Sequence, residues 1–330
     1  MTSYLLLLAP AANRVYAGEA PTLAAAELAV TTGVEVEPVT IAGIDYLRFE
    51  AGDEALATVA AQSARLALFE EAGGLLRPVE LPRTDVLDDD LVTIPKYPGK
   101  TNEQFTRLLL NVTLAQVDRP AGRRAVLDPL AGRGTTLTTA WLAGHDAAGV
   151  EGDEKAMEAF AAFLKTWLRR KRLKHKADIT PVRREGRSLG RRFDAEVVAE
   201  GQTLTLGMFT GDTRDSAALW GKRRFDAVVT DAPYGVVHGA TTDVRGVSGR
   251  RDRSAAGLLR EAVPVWAGQL KAGGALGLSW NTLGLPREDL LTVLAGAGLT
   301  PLDEGPWRRF AHRVDSSVHR DLVVAVKPAG

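Results

Sequence analysis

Apolar positions follow two different patterns on either side of residue 92. Ahead of it, Tyr4–Leu8 forms a short apolar strand, and Pro21–Ala29 places apolar residues at helical spacing. Val34–Phe49 is β-rich, and Asp53–Phe69 reads as a second helical stretch; together these predict a small α+β unit over residues 1–92. Leu81–Asp90, with Pro82 and its cluster of acids, reads as the linker that closes it.

Beyond the linker the chain alternates short apolar strands with helical stretches, which predicts βαβ units around a largely parallel sheet. The expected strands are Ala125–Asp128, Ala147–Glu151, Leu206–Thr210, Phe225–Thr230 and Ala275–Trp280. Two alternating segments, Phe193–Glu200 and Thr203–Phe209, flank Gly201-Gln202 and predict an inserted β-hairpin. Trp307–Val314 and Asp321–Lys327 predict a closing antiparallel pair. The expected fold is therefore α/β: a Rossmann-like sheet, mostly parallel with an antiparallel C-terminal strand, over residues 93–330, with a basic insertion at 165–209. No internal repeat is visible, which argues against a solenoid.

Composition narrows the chemistry. The chain has 330 residues, of which 45% are hydrophobic and 25% charged, as expected of a globular protein. It has no cysteine, which excludes disulfides, thiolate metal sites and cysteine nucleophiles. The apolar run from Leu5 is too short to span a bilayer and has no basic residue before it, so a cytoplasmic protein without a membrane anchor is expected. Lys plus Arg and Asp plus Glu both total 41, but the charge is segregated. Residues 1–94 hold 15 acids and 5 bases, whereas 165–192 hold 12 bases and 2 acids. Within the second block Arg169, Arg170, Lys171, Arg172 and Lys174 concentrate enough positive potential to attract nucleic-acid phosphates, against the plainer reading of a solvated helix end. Trp167 beside the run reads as a core anchor, with base stacking as the alternative.

The strand Ala125–Asp128 is followed by Pro129-Leu130-Ala131-Gly132-Arg133-Gly134-Thr135 and then a helical run. Gly132 and Gly134 allow a tight turn and close approach of a ligand at the switch point of an open sheet. The next strand ends at Glu151, about 20 residues on, where a carboxylate can accept ribose hydroxyls, with Asp153 just beyond. Leu137 stands where a dinucleotide loop needs its third glycine, and no Gly-Lys-Ser/Thr follows, so a diphosphate site and a P-loop are both disfavoured. S-adenosylmethionine fits better than NAD. The fourth strand ends in Asp231-Ala232-Pro233-Tyr234, an acid, a stiffened turn and an aromatic at one strand tip.

Taken in order, these segments resemble the class I S-adenosylmethionine-dependent methyltransferases, and among them the amino-methyltransferases with an Asp/Asn-Pro-Pro-Tyr/Phe motif. The resemblance covers residues 93–330; residues 1–70 are more weakly similar to the N-terminal region of tRNA guanine-N2 methyltransferases. It implies that Asp128, Pro129, Ala131, Gly132, Gly134 and Thr135 form the cofactor loop. Glu151 and Asp153 would then serve the ribose, Asp212 and Thr213 the adenine, and Lys96, Tyr97 and Asn102 the methionine end. It assigns Asp231, Ala232, Pro233 and Tyr234 to catalysis. Two departures stand out: Ala232 replaces the first proline of the motif, and the space before residue 92 is short for an RNA-binding THUMP domain. Val236–Gly257, with Arg250 and Arg251, reads as a mobile basic loop over the site. No histidine has metal-ligand spacing, so no metal is expected. The implied function is methylation of an exocyclic amine of a nucleobase, with guanine N2 in tRNA favoured. Alternatives are DNA adenine N6-methylation, methylation of a small-molecule amine, or a non-catalytic nucleic-acid-binding protein.

Overall fold

The computed structural model describes every residue except 11–13, 98, 185–186 and 234–253. Its N-terminal part runs β1 (Thr2–Leu8), α1 (Arg14–Thr32), β2 (Val36–Ile41), β3 (Ile44–Ala51), α2 (Leu56–Ala61), β4 (Arg65–Ala72) and β5 (Leu75–Val79). The five strands form an antiparallel sheet in the order β2-β3-β1-β4-β5. Its register is fixed by a row of leucines: Leu6 faces Leu47 on one side and Leu68 on the other, and all three are buried. The helix expected over Asp53–Phe69 is therefore only Leu56–Ala61. Its second half pairs with β1 as β4, because burial of Leu68 on the sheet outweighs the helix preference of the surrounding alanines.

The remainder comprises α3 (Asp90–Thr93), α4 (Glu103–Leu114), β6 (Ala125–Asp128), α5 (Thr135–Leu142), β7 (Asp146–Glu151), α6 (Glu154–Arg170), β8 (His175–Arg184), β9 (Arg187–Ala199) and β10 (Gln202–Thr210). It continues through α7 (Ser216–Trp220), β11 (Phe225–Asp231), α8 (Ala255–Gln269), β12 (Leu270–Asn281), α9 (Arg287–Gly296), β13 (Thr300–Leu302), β14 (His312–Arg313) and β15 (His319–Val326). The strand order is β13-β15-β12-β11-β6-β7-β10-β9-β8, with β14 paired to β15. Strands β12, β11, β6, β7 and β10 are mutually parallel, whereas β15 runs antiparallel to β12. This is the α/β arrangement expected from the sequence, a Rossmann-like, mostly parallel sheet with an antiparallel C-terminal strand.

Central strands buried on both faces read as continuous apolar runs, and successive residues feed two cores. Val126, Ala227 and Val229 pack beneath α4, α5 and α6; Leu127 and Val228 pack beneath α7, α8 and α9. Two expectations need correction. The expected antiparallel pair is present only through the two-residue β14, which pairs with β15; Trp307–Arg308 end a 3-10 turn, and β15 is otherwise paired with β12 and β13. The insertion holds an additional strand, β8, hidden in the sequence because its apolar positions alternate with charges. The expected hairpin is present as β9–β10, and β10 doubles as the third parallel strand. Among the described residues no helix is long and apolar enough to cross a membrane.

Helix α1 is buried on both sides. Ala24, Ala25 and Leu28 pack on the antiparallel sheet, while Tyr16, Ala20, Leu23 and Ala26 join the core around α4. Between these faces sits Glu27, fully buried, accepting from the Ser63 amide at 3.1 Å and from Asn111 Nδ2 of α4 at 2.7 Å. Burial pushes its carboxyl up to about 7, against the opposing pull of the Ser63 and Asn111 hydrogen bonds. An acid with a raised folded-state pKa takes up a proton on folding, so its stabilising contribution is complete below its ordinary value of 4.5 and is lost as pH rises through about 7. Wild type should therefore gain thermal stability between pH 8 and pH 5.5 by more than Glu27→Gln does. Melting curves at both pH values check this, and parallel pH dependences in the two proteins would refute it.

Candidate active site

The parallel strands deliver four carboxylates to one edge, the fourth being Asp212 just past the end of β10. Asp128 lies level with Gly149, Glu151 with Thr210, and Asp231 ends β11, two strands away from Glu151. Neighbouring strands are about 4.8 Å apart, so Asp231 and Glu151 stand roughly 10 Å from one another along that edge.

The turn after β6 is built around its glycines. Gly132 and Gly134 have φ of +52° and +78°, in the left-handed region that favours glycine. The Ala131 amide donates to the Val150 carbonyl at 3.0 Å, laying the turn across β7. Gly149 makes that approach possible, since a Cβ there would fall 2.9 Å from Leu137 and 3.0 Å from Ala131. At the bottom of the turn Asp128 is buried, accepting from the Leu130 amide at 3.0 Å and from Thr230 Oγ1 at 2.7 Å. Burial lifts its carboxyl to about 6. Pro129 and Ala131 are buried as well, so these residues shape the turn from below. Thr135 opens α5 and shares a 2.8 Å hydrogen bond with the Tyr97 hydroxyl, while the Arg133 guanidinium lies 5.0 Å from the centre of the Tyr97 ring.

Glu151 receives the Gly132 amide at 2.7 Å on Oε2 and the Asp153 amide at 2.8 Å on Oε1. Its pKa is nevertheless raised, chiefly by burial. A carboxylate offers about four acceptor positions, more than these backbone amides fill, and a hydroxyl donor there would offset the cost of burying the charge. Asp153 caps α6 by accepting from the Lys155 amide at 2.9 Å. A Cβ on Gly132 would meet nothing within 4 Å, so open space adjoins the turn. These features fit a ribosyl cofactor such as S-adenosylmethionine.

Other expected site residues are engaged within the protein. Asp212 is gripped by the Arg214 guanidinium through Nε at 2.9 Å and Nη2 at 2.7 Å, and Thr213 is buried beneath Trp266, whose indole donates to it. Asn102 caps α4 by accepting from the Phe105 amide at 3.1 Å, and Lys96 is exposed.

At the tip of β11, Asp231 is surrounded by donors that the sequence did not single out. Thr101 Oγ1 donates to Oδ2 at 2.7 Å, Ser279 Oγ donates to Oδ1, and the buried Arg320 guanidinium lies 3.7 Å from Oδ2. Arg320 in turn stacks over Phe105, 4.6 Å from its ring centre. Ala232 is buried, and its amide donates to the Ser279 carbonyl at 2.8 Å; Pro233 is half-buried. Tyr234, Arg250 and Arg251 lie outside the described residues, as does most of the expected loop 236–257. Its end, Ala255–Gly257, is already the first turn of α8, capped by Ser254. The signals for Thr101 and Ser279 were modest: a hydroxyl next to Asn102, and one polar residue within the apolar run of β12 opposite Asp231. His312 is a core histidine, with burial pushing its pKa down to about 4 and its ring packed on Phe105.

The basic run lies elsewhere. Helix α6 starts at the edge carrying Glu151 and runs back for 17 residues, which places Arg169 and Arg170 about 25 Å away at the opposite edge. There Lys171 pairs with Asp88 at 2.9 Å and Asp90 at 2.7 Å, and Trp167 is buried with its indole donating to Asp90 at 2.8 Å. Arg169, Arg170, Arg172 and Lys174 are exposed.

No family model matches the chain, and no curated protein does. Among solved structures it is similar to TrmN from Thermus thermophilus, with 13% identity over 99% of this chain and 100% of that one and a TM-score of 0.48. It is also similar to the rRNA methyltransferase aviRa from Streptomyces viridochromogenes, with 18% identity over 73% and 91% of the two chains and a TM-score of 0.41. A third is the T. thermophilus 16S rRNA N2-G methyltransferase RsmC in complex with AdoMet and guanosine, with 17% identity over 89% of this chain and 50% of that one and a TM-score of 0.38.

The two turn glycines carry the same backbone demand but differ in surroundings. A Cβ on Gly134 would fall 2.5 Å from the Phe160 ring, whereas one on Gly132 would meet nothing. Gly132→Ala should therefore cost about 1 kcal/mol of stability from the left-handed backbone alone. Gly134→Ala should cost roughly 2–4 kcal/mol, because overpacking adds to that strain. Urea unfolding midpoints distinguish them, and equal losses would reject the packing argument.

Proposed function

We propose that the chain is a methyltransferase that transfers a methyl group from S-adenosylmethionine to an exocyclic amine of a nucleobase, with guanine N2 in tRNA as the preferred target. The observation that carries this reading is Asp231, a carboxylate held by Thr101, Ser279 and Arg320 at the sheet edge that also presents Glu151 and the glycine turn. A ring-conjugated amine is a poor nucleophile because its lone pair is delocalised. A fixed acceptor at its N–H favours the pyramidal form in which the lone pair is available.

Bound, the cofactor supplies an electrophilic sulfonium methyl. Glu151 would accept the ribose hydroxyls, and the Gly132–Gly134 turn would admit the rest of the cofactor to close backbone approach. Tyr97, held by Thr135, would border the methionine end. Asp231 would accept from one amine N–H and the carbonyl of residue 232 from the other; that carbonyl is unchanged by alanine in place of proline. Tyr234 is assigned base stacking from its place in the motif. Thr101 and Ser279 prevent the Asp231 carboxylate from rotating, so the acceptor needs no reorganisation as the reaction proceeds. The target base must be flipped or unpaired to reach the edge. Preference for tRNA guanine over DNA adenine rests on the resemblance of residues 1–70 to tRNA guanine-N2 methyltransferases.

Incubation with radiolabelled S-adenosylmethionine and either unmodified tRNA or genomic DNA, followed by nucleoside analysis, tests the proposal. Label is expected as N2-methylguanosine in tRNA alone, and label in neither polymer would overturn it. Asp231→Ala should lower kcat at least about a hundredfold while S-adenosylhomocysteine affinity stays unchanged. Glu151→Ala should weaken that affinity about tenfold or more, by removing hydrogen bonds to a charged acceptor.

Thr101→Val removes one charge-assisted hydrogen bond to Asp231 while keeping side-chain volume, so kcat should fall by roughly tenfold with little change in cofactor affinity. Thr101→Ser should restore most of the rate. Full activity in Thr101→Val would remove the residue from the positioning role.

A further inference from the structure

The basic end of α6, at the edge opposite the carboxylates, is built in a way that its surroundings do not require. Lys171 caps the helix, and the chain leaves it through two paired backbone bonds: the Arg172 amide donates to the Arg169 carbonyl at 3.1 Å, and the Leu173 amide to the Leu168 carbonyl at 3.2 Å. Such an exit puts the residue after the cap in the left-handed region, where glycine is ordinarily favoured. Here that residue is Arg172, with φ of +55°. Leu173 packs back on the core, so the exit is well formed and only its residue type departs from the usual pattern. Cations in the last turn of a helix complement its dipole, which accounts for Arg169 and Arg170. It does not account for an arginine where glycine suits the backbone better, nor for Lys174 beyond it.

Charge pairing separates these residues from their neighbours. Lys171 lies 2.9 Å from Asp88 and 2.7 Å from Asp90, and Lys176, further on, is 4.0 Å from Glu196. Arg169, Arg170, Arg172 and Lys174 are exposed, and among the described residues none of them has a carboxylate within 4.0 Å. Three of the four are arginines, whose planar fork of donors matches a phosphate better than an ammonium does. The patch lies about 25 Å along α6 from the edge carrying Glu151, and Asp231 is two strands further across, so roughly 27 Å separate the patch from Asp231. A small amine bound at Asp231 could not touch both. A nucleic-acid strand, with a phosphate about every 3.4 Å in a helix, would span the distance with about eight phosphates. Along the way Lys155 of α6 is exposed, while Glu154 and Glu158 are both taken up by Arg191.

We infer that the exit of α6, through Arg169, Arg170, Arg172 and Lys174, is a remote anchor that grips the phosphate backbone of an RNA whose target base lies at Asp231. This rests on the methyl-transfer reading above for its substrate and extends it by naming where the rest of the polymer is held. Arg172 then occupies a glycine position because contact with the substrate outweighs the strain in its backbone.

The test compares the full-length wild type, R169Q/R170Q/R172Q/K174Q and R172G. Direct binding of labelled tRNA is measured over a series of salt concentrations, alongside thermal melting, sedimentation, steady-state methylation and S-adenosylhomocysteine binding. For the quadruple variant, tRNA affinity should fall about tenfold or more at 0.1 M salt, and the slope of log affinity against log salt should become shallower by about three to four, roughly one for each phosphate no longer neutralised. Its kcat at saturating tRNA and its cofactor affinity should stay within about twofold of wild type. R172G should melt roughly 1–3 °C higher, because glycine relieves the left-handed backbone, and yet bind tRNA about threefold more weakly. A purely structural helix end would give the gain in melting temperature without the loss of binding, and that result would overturn the inference. So would tRNA affinity of the quadruple variant within about twofold of wild type; a shift from dimer to monomer in that variant would then assign the patch to a second copy of the chain. Because binding is measured without turnover, salt-dependent tRNA binding that the quadruple variant lacks, together with no methyl transfer by wild type, would uphold the anchor and sink the methyl-transfer reading instead.

Discussion

Four carboxylates gathered at the ends of four adjacent parallel strands are the constraint around which this edge is built. Like charges close together in a partly dry environment repel one another, so each needs its own neutralising partners. The protein answers differently for each. Asp128 is buried beneath the turn with Thr230 and the Leu130 amide, and its pKa is high. Glu151 is met by backbone amides, Asp212 by one guanidinium in a forked pair, and Asp231 by two hydroxyls and a more distant arginine. Asp128 and Asp212 are committed to shaping the turns.

This division explains why the segment ahead of the first parallel strand matters. Of the segment between α3 and α4, Tyr97 reaches Thr135 and Thr101 reaches Asp231. That segment leads directly into α4, whose opposite side holds Asn111 against Glu27. The buried Glu27 thus ties the N-terminal sheet, through α1 and the turn at Ser63, to the helix whose first turn follows Thr101. An ionisable group in that position is a costly way to join two packing units, and it makes their junction sensitive to pH near neutrality.

The parallel core was legible in the sequence because strands buried on both faces appear as uninterrupted apolar runs. Phe225–Thr230 and Ala125–Asp128 were found within a residue of their ends. Glycines at the turn and acids at the strand tips were equally legible, since few other roles suit those residues there. What escaped was whatever depended on pairing. Strand β4 looked helical because alanine favours helices, and only its register with β1 reveals it as a strand. Strand β8 was masked by charges on its solvent side. Thr101, Ser279 and Arg320 come from three separate segments and share nothing in sequence; they converge only because β12 and β15 flank β11 in space. Asn102 drew attention for the reason that suits it to capping α4, while its neighbour Thr101 reaches the carboxylate.

The basic run at residues 169–174 is a statement about sequence density and says nothing about direction. A helix leaving a parallel strand must travel back along the sheet, so basic residues at the end of α6 necessarily arrive at the edge opposite the strand tips. The position of charge relative to the carboxyl ends of the strands is therefore set by topology and cannot be read from its density along the chain.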